Sequence, residues 1–244
     1  LRYRNLLLKA GIERGKVALY GSTEIGPKFS VLNRLQELFP EYEITGLVPD
    51  TIMLKAMMIK DPEEIKRIKR MGEITTKVVG KVADFLGKQR AQNGFLVDEN
   101  YTPITIGMIK SKINLWLAEA GAENPEQTIF ALGRDAGVPH SQGTDSDQIQ
   151  LGKTIVFDIF PCESGGGYFY DFTRTWCIGY APEDVQKLYD QVKFVYDKVV
   201  SELVENTPFK FYQHRTCKLF EDLGHPTIQS NPSTLEGYVH SLGH

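Results

Sequence analysis

Asp158 and Asp171 sit within "FDIFPCESGGGYFYDFTRTW" (157–176), in aromatic and apolar runs that otherwise read as buried strands. Carboxylates are seldom buried without a partner, because removing an unpaired charge from water is costly. A Gly-rich turn separates the two runs. If it centres on Ser164–Gly165, the runs form an antiparallel hairpin with Asp158 directly opposite Asp171. Directly opposed side chains have Cβ atoms about 4.5–5.5 Å apart. Alternation then puts Val156, Asp158 and Phe160 on one face, across from Thr173, Asp171 and Phe169. Two like charges at that separation repel unless something compensates. A shared proton would do so, as in a carboxylate dyad. An arginine would too, although Arg174 points to the other face of a regular strand. So would a divalent cation, for which hard oxygen ligands are natural. A partly exposed hairpin with two solvated carboxylates is the plainer alternative.

The histidines add to this set. His240 and His244, in "HSLGH", are spaced to share one face of either a strand or a helix. Ser241 stands where the zinc-protease HExxH motif has its glutamate, so that chemistry is not indicated. His140, in "GVPHSQGTD", falls in a loop after a strand. His214 and His225 have no motif around them and read as structural.

The elements that must position these residues follow from periodicity. "KVALYGS" (16–22) and "YEITGLV" (42–48) read as strands flanking an amphipathic helix, "KFSVLNRLQELF" (28–39). Asp61, Pro62 and Glu64 then form a helix-start signature, and Ile65, Ile68, Met71, Val78, Val82 and Phe85 keep one apolar face behind it. A domain boundary is expected near residue 60, giving domains 1–60 and 61–244. A helix is predicted over 102–121, strands over 126–132, 153–160 and 167–179, and helices over 182–203 and 211–224. The class is mixed α/β, with strands and helices in both parts.

Composition limits the partners. A net charge of −3 in 244 residues gives no basic face for nucleic acid. No apolar run reaches the roughly 18 residues of a membrane span. The opening "LRYRNLLLKAGIERGK" has neither the apolar core nor the cleavage site of a signal peptide. Cys162, Cys177 and Cys217 are odd in number and lack CxxC spacing, so no disulfide framework is expected and a reducing cytoplasm is the default. The chain opens without Met and stops inside an apolar, glycine-punctuated segment, and it reads as an internal piece of a longer protein.

Taken together, "ALGRDAGVPHSQGTD", the run Asp158…Tyr168-x-x-Asp171-x-Thr173-Arg174-Thr175…Gly179 and "HSLGH" resemble the pita-bread metallopeptidases: aminopeptidase P, prolidase and the metal-free creatinase. Residues 1–60 resemble the last part of that family's creatinase-like amino-terminal domain, and "IKDPEEIKRIKR" the opening of its catalytic domain. Phe160 departs from the glycine often found there, and the hairpin is two residues longer than usual. The resemblance implies a pita-bread catalytic domain, incomplete at its C-terminal end, in a cytoplasmic homodimer. It implies two divalent ions, manganese above cobalt or zinc, held by Asp158, Asp171 and His244, with two further glutamates downstream of this sequence. A metal-activated hydroxide would hydrolyse the N-terminal Xaa-Pro bond of a proline-containing peptide. His240 would donate to the developing oxyanion, and His140 would contact substrate or carry the proton to the leaving nitrogen. The rival readings are a metal-free creatinase-like hydrolase, and a pita-bread binding module without catalysis.

Overall fold

In the computed structural model, which describes residues 2–21, 24–47 and 51–242, the chain divides into two units, Leu1–Lys66 and Arg67–His244. The first contains α1 (Arg2–Lys9), β1 (Gly15–Leu19), α2 (Ile25–Leu38), β2 (Tyr42–Gly46) and α3 (Thr51–Met58). β1 and β2 pair in parallel with Val17 opposite Ile44, as a crossover through α2 permits. Tyr42 is fully buried, and its hydroxyl donates to the Ile12 carbonyl at 2.9 Å. Gln36 of α2 braces the strand: its Nε2 donates to the Tyr42 carbonyl at 2.6 Å, and its Oε1 accepts the Ile44 amide at 2.8 Å. The predicted strand ends at residues 22 and 48 lie outside the described residues. The sequence reading missed α3, whose "TIMLKAMM" is apolar with little periodicity.

α4 (Pro62–Gly87) starts where its capping signature predicts. Asp61 Oδ1 accepts the Glu64 amide at 2.9 Å, while Glu64 Oε2 accepts the Asp61 amide at 2.6 Å. Two backbone donors that a helix start leaves orphaned are thereby satisfied reciprocally. From Arg67 on, the second unit adds β3 (Arg90–Gln92), β4 (Phe95–Val97), α5 (Ile106–Glu119), β5 (Ala122–Glu123) and β6 (Ile129–Leu132). It continues with β7 (Thr154–Ile159), β8 (Cys162–Glu163), β9 (Phe172–Cys177), α6 (Glu183–Ser201) and α7 (Phe209–Asp222). α5 begins four residues later than periodicity suggested. Thr105 caps it by accepting the Met108 amide at 3.3 Å, and the Ile104 amide before it donates to the Leu96 carbonyl of β4 at 2.9 Å.

The functional platform is the antiparallel sheet β6–β7–β9. Along β7 burial alternates strictly: Ile155, Phe157 and Ile159 are buried, while Thr154, Val156 and Asp158 are not. The buried set packs on Met71 and Val82 of α4 and Ile109 and Ile113 of α5, with Phe130 and Trp176 in ring contact with Phe157 at 5.3 and 5.4 Å. Each such side chain contributes about 1.5–3 kcal/mol relative to exposure. A one-residue slip would drive Asp158 into this core, so packing fixes which face the carboxylate takes.

A second cluster joins Val195 and Val199 of α6 to Tyr212, Leu219 and Phe220 of α7, with Tyr238 and Leu242 packed against it. Arg215 of α7 bridges both carboxylate oxygens of Glu202 at 2.9 Å, and together with Lys198 holds that carboxyl down at about 2. Among the described residues no helix is long and apolar enough to cross a membrane.

Candidate active site

Across the hairpin, Asp158 lies opposite Thr173, not opposite Asp171 as the sequence reading expected. The reason is in the turn. The Gly166 amide donates to the Glu163 carbonyl at 3.1 Å, and Gly165 takes φ +81°, a left-handed value suited to the third position of a type II turn. That turn does have Ser164–Gly165 at its centre, but the loop it opens runs on through Gly167 to Tyr168, whose carbonyl accepts the Glu163 amide at 3.2 Å, so the strands pair about Gly165–Gly166 and every cross-strand partner moves by two. Glu163 locks this arrangement: its carboxylate accepts the Tyr168 amide at 3.0 Å and pairs with Arg67 through Nε at 3.0 Å and through Nη2. Arg67 holds the Glu163 carboxyl below the usual range. Glu123 anchors the tip by accepting the Gly165 amide at 2.9 Å.

A shift of two leaves every side chain on its own face, because the strand period is two. Asp171 thus stays on the Asp158 side of the sheet, diagonal to it, close enough for each carboxyl to feel the charge of the other. The Thr173 hydroxyl donates to Asp158 Oδ1 at 2.7 Å, a contact that sequence reasoning missed although alternation placed Thr173 on this face. Asp171 is open to solvent at its rim, yet protein packs closely enough around its carboxyl to penalise the charge. That burial first, and the Asp158 carboxylate next, hold Asp171 above the usual carboxylate range, while the Phe172 amide and, less strongly, His240 pull it back down. Arg174 relieves nothing: it lies on the other face, with its guanidinium 3.9 Å from the Phe172 ring centre and Nη1 on the Thr173 carbonyl at 2.7 Å.

The two described histidines of the predicted set converge. The rings of His140 and His240 are 6.2 Å apart, centre to centre, and both residues are exposed. His140 takes φ 60°, a left-handed value uncommon outside glycine. Its loop passes tightly over β6 at Gly143, where a Cβ would lie 2.5 Å from the Phe130 carbonyl oxygen. His214 and His225 pair instead with Gln229 and Gln191, at 2.6 and 2.9 Å. His244, the third predicted ligand, lies outside the described residues. Among the described residues, no group of three or more His, Cys, Asp or Glu is assembled for a metal ion. The donor set nevertheless fits a hard divalent cation: two carboxylates share one face, and one has its negative charge penalised by the other.

Comparison with known proteins gives the same set a context. Residues 66–244 match the model of metallopeptidase family M24. The chain is 29% identical over 182 residues to a Mycoplasma genitalium protein that carries the provisional name of an Xaa-Pro aminopeptidase, covering 65% of this chain and 46% of that protein. It is 27% identical over 215 residues to an uncharacterised peptidase of Methanocaldococcus jannaschii, covering 86% of this chain and 51% of that one. The chain thus spans about half the length of these relatives. Among solved structures, the fold is similar to the X-Pro aminopeptidase of Thermotoga maritima (TM-score 0.70, 19% identity, 91% of this chain and 57% of that one). It is similar also to the prolidase of Pyrococcus furiosus (TM-score 0.66, 19% identity, 91% and 58%).

Proposed function

The chain belongs to metallopeptidase family M24, and from that premise we propose that the intact protein is a metal-dependent peptidase that releases the N-terminal residue ahead of proline. The observation that carries the reading is the pairing of Asp158 and Asp171 on one open sheet face, with His240 beside Asp171 and His140 beside His240. The repulsion between two close carboxylates calls for a cation. The names borne by the similar proteins, Xaa-Pro aminopeptidase and prolidase, supply the substrate class.

Asp158 and Asp171 would hold two divalent ions, Asp171 serving both, with His244 and the two downstream glutamates implied by the resemblance completing the shell. Manganese suits a carboxylate-rich site, and cobalt and zinc are the alternatives. Such ions, when bound, lower the pKa of a shared water and polarise the scissile carbonyl. The chain's own groups do the rest. His240 donates to the oxyanion that develops on the substrate carbonyl. His140 contacts the substrate from its constrained loop and passes a proton to the leaving proline nitrogen. Thr173 keeps Asp158 in its rotamer, so that the carboxylate is set before any ion arrives. Release of the N-terminal residue from Xaa-Pro peptides, followed with and without added manganese, tests the proposal.

A further inference from the structure

The segment that carries His240 is held in an unusual way. Tyr238 is tied to its neighbour strand-like, its amide donating to the Pro226 carbonyl at 2.9 Å and its carbonyl accepting the Ile228 amide at 3.1 Å. Beyond it, from Val239 to Leu242, the backbone hydrogen bonds among the described residues all go to one side chain, Gln213 of α7. Gln213 Nε2 donates to the His240 carbonyl at 3.2 Å, and Oε1 accepts the Leu242 amide at 2.7 Å. The amide thus takes the carbonyl of one residue and the N–H of the second one after it, as a neighbouring strand would. Gln36 does the same for Tyr42 and Ile44 in the first unit.

A carboxamide has two donor hydrogens and two acceptor lone pairs. Here all four are used, because Oε1 also accepts the Tyr238 hydroxyl at 3.3 Å and Nε2 also lies 3.7 Å from Cys217 Sγ. Flipping the amide would set its NH2 against the Leu242 N–H and its oxygen against the His240 carbonyl, so the orientation is fixed by its surroundings. Its neighbours on α7, Tyr212, Thr216 and Cys217, are buried.

We propose that Gln213 is a positioning residue for His240: by gripping the backbone on both sides of Ser241, it sets the His240 ring against His140 and Asp171. The assignment rests on the reading of His240 as a site residue, and it goes beyond that reading by naming what holds the ring in place. Gln213 touches neither carboxylate and takes no part in the chemistry itself.

The test uses the intact protein with Gln213→Met, which keeps the length of the side chain and removes all four hydrogen bonds, and Gln213→Glu, which keeps the two acceptor contacts and removes the two donors. In Q213M the Leu242 amide should exchange with solvent at least about tenfold faster, and the nuclear Overhauser contact between the His140 and His240 rings should disappear. Turnover on an Xaa-Pro peptide should fall roughly a hundredfold, the cost of a catalytic group misplaced by about 1 Å. At saturating manganese KM should stay close to wild type, and the variant should still melt cooperatively above the assay temperature, which a globally destabilised protein would not show. Q213E should retain Leu242 protection and lose part of the turnover. Wild-type exchange at Leu242 in Q213M, or faster exchange with the ring contact and turnover unchanged, would overturn the proposal. Loss of the ring contact in a protein that cleaves no Xaa-Pro peptide would support the clamp and sink the peptidase reading alone.

Discussion

Asp158 accepts the Thr173 hydroxyl at 2.7 Å from directly across the hairpin. The carboxylate is therefore oriented by its cross-strand partner, while Asp171 approaches it from the diagonal position. An outer partner of this kind fixes the rotamer of a ligand, and its loss commonly costs ten- to a hundredfold in metal affinity or activity.

Thr173→Val should accordingly weaken manganese binding about tenfold, while Thr173→Ser should restore it. The melting temperature should barely move, because the threonine is exposed and one such hydrogen bond contributes on the order of 1 kcal/mol. Calorimetric titration of the intact variants with manganese checks this. Equal affinity in the T173V and wild-type proteins would show that Asp158 needs no such support.

Without metal, the close carboxylates are a cost. Asp171 binds its proton more tightly in the folded chain than at its ordinary value of 3.8. Its contribution to stability is therefore most favourable below that value and declines as pH rises through the raised, folded one. Asp171→Asn removes the decline. The metal-free variant should match wild type in acid and exceed it at neutral pH, by a few tenths to about 1 kcal/mol, the scale of solvent-screened charge pairs. Thermal melts in chelator across this pH range decide the matter; a variant clearly less stable at pH 7 would contradict the repulsion argument.

The roles of Asp171 and His240 should separate. Asp171→Ala removes a ligand and should abolish both metal retention and Xaa-Pro cleavage. His240→Ala should keep its metal while turnover falls roughly a hundred- to a thousandfold, the range for losing one oxyanion donor. Metal analysis of both purified variants beside their kinetics is the check. Equal metal loss in the two would make His240 a ligand.

Much of this site was legible because chemistry and periodicity coincide in β7 and β9. Apolar residues alternating with Asp158 announced a sheet with one dry face, and the same alternation put Asp171 and Thr173 on the other. The register was not legible to the residue, since three consecutive glycines allow the loop that closes the hairpin more than one length. What chose the length was Glu163, pinned by Arg67 from ninety-six positions away. The hairpin of β3 and β4 was overlooked even though Asn93-Gly94, both at positive φ, is a strong short-range turn signal. Gln213 gave no signal at all. A polar residue on an amphipathic helix reads as a solvated face, and apart from Cys217 the partners of its amide come from the returning segment at Tyr238–Leu242.

The central claim, that the two aspartates serve a metal-dependent Xaa-Pro peptidase, is tested most directly by one assay on the intact protein. Release of the N-terminal amino acid from an Xaa-Pro peptide is followed before chelation, after chelation, and after manganese is restored. Chelation should remove the cleavage and manganese should return it. Cleavage unaffected by chelation, or none in the manganese-loaded protein, would contradict the claim.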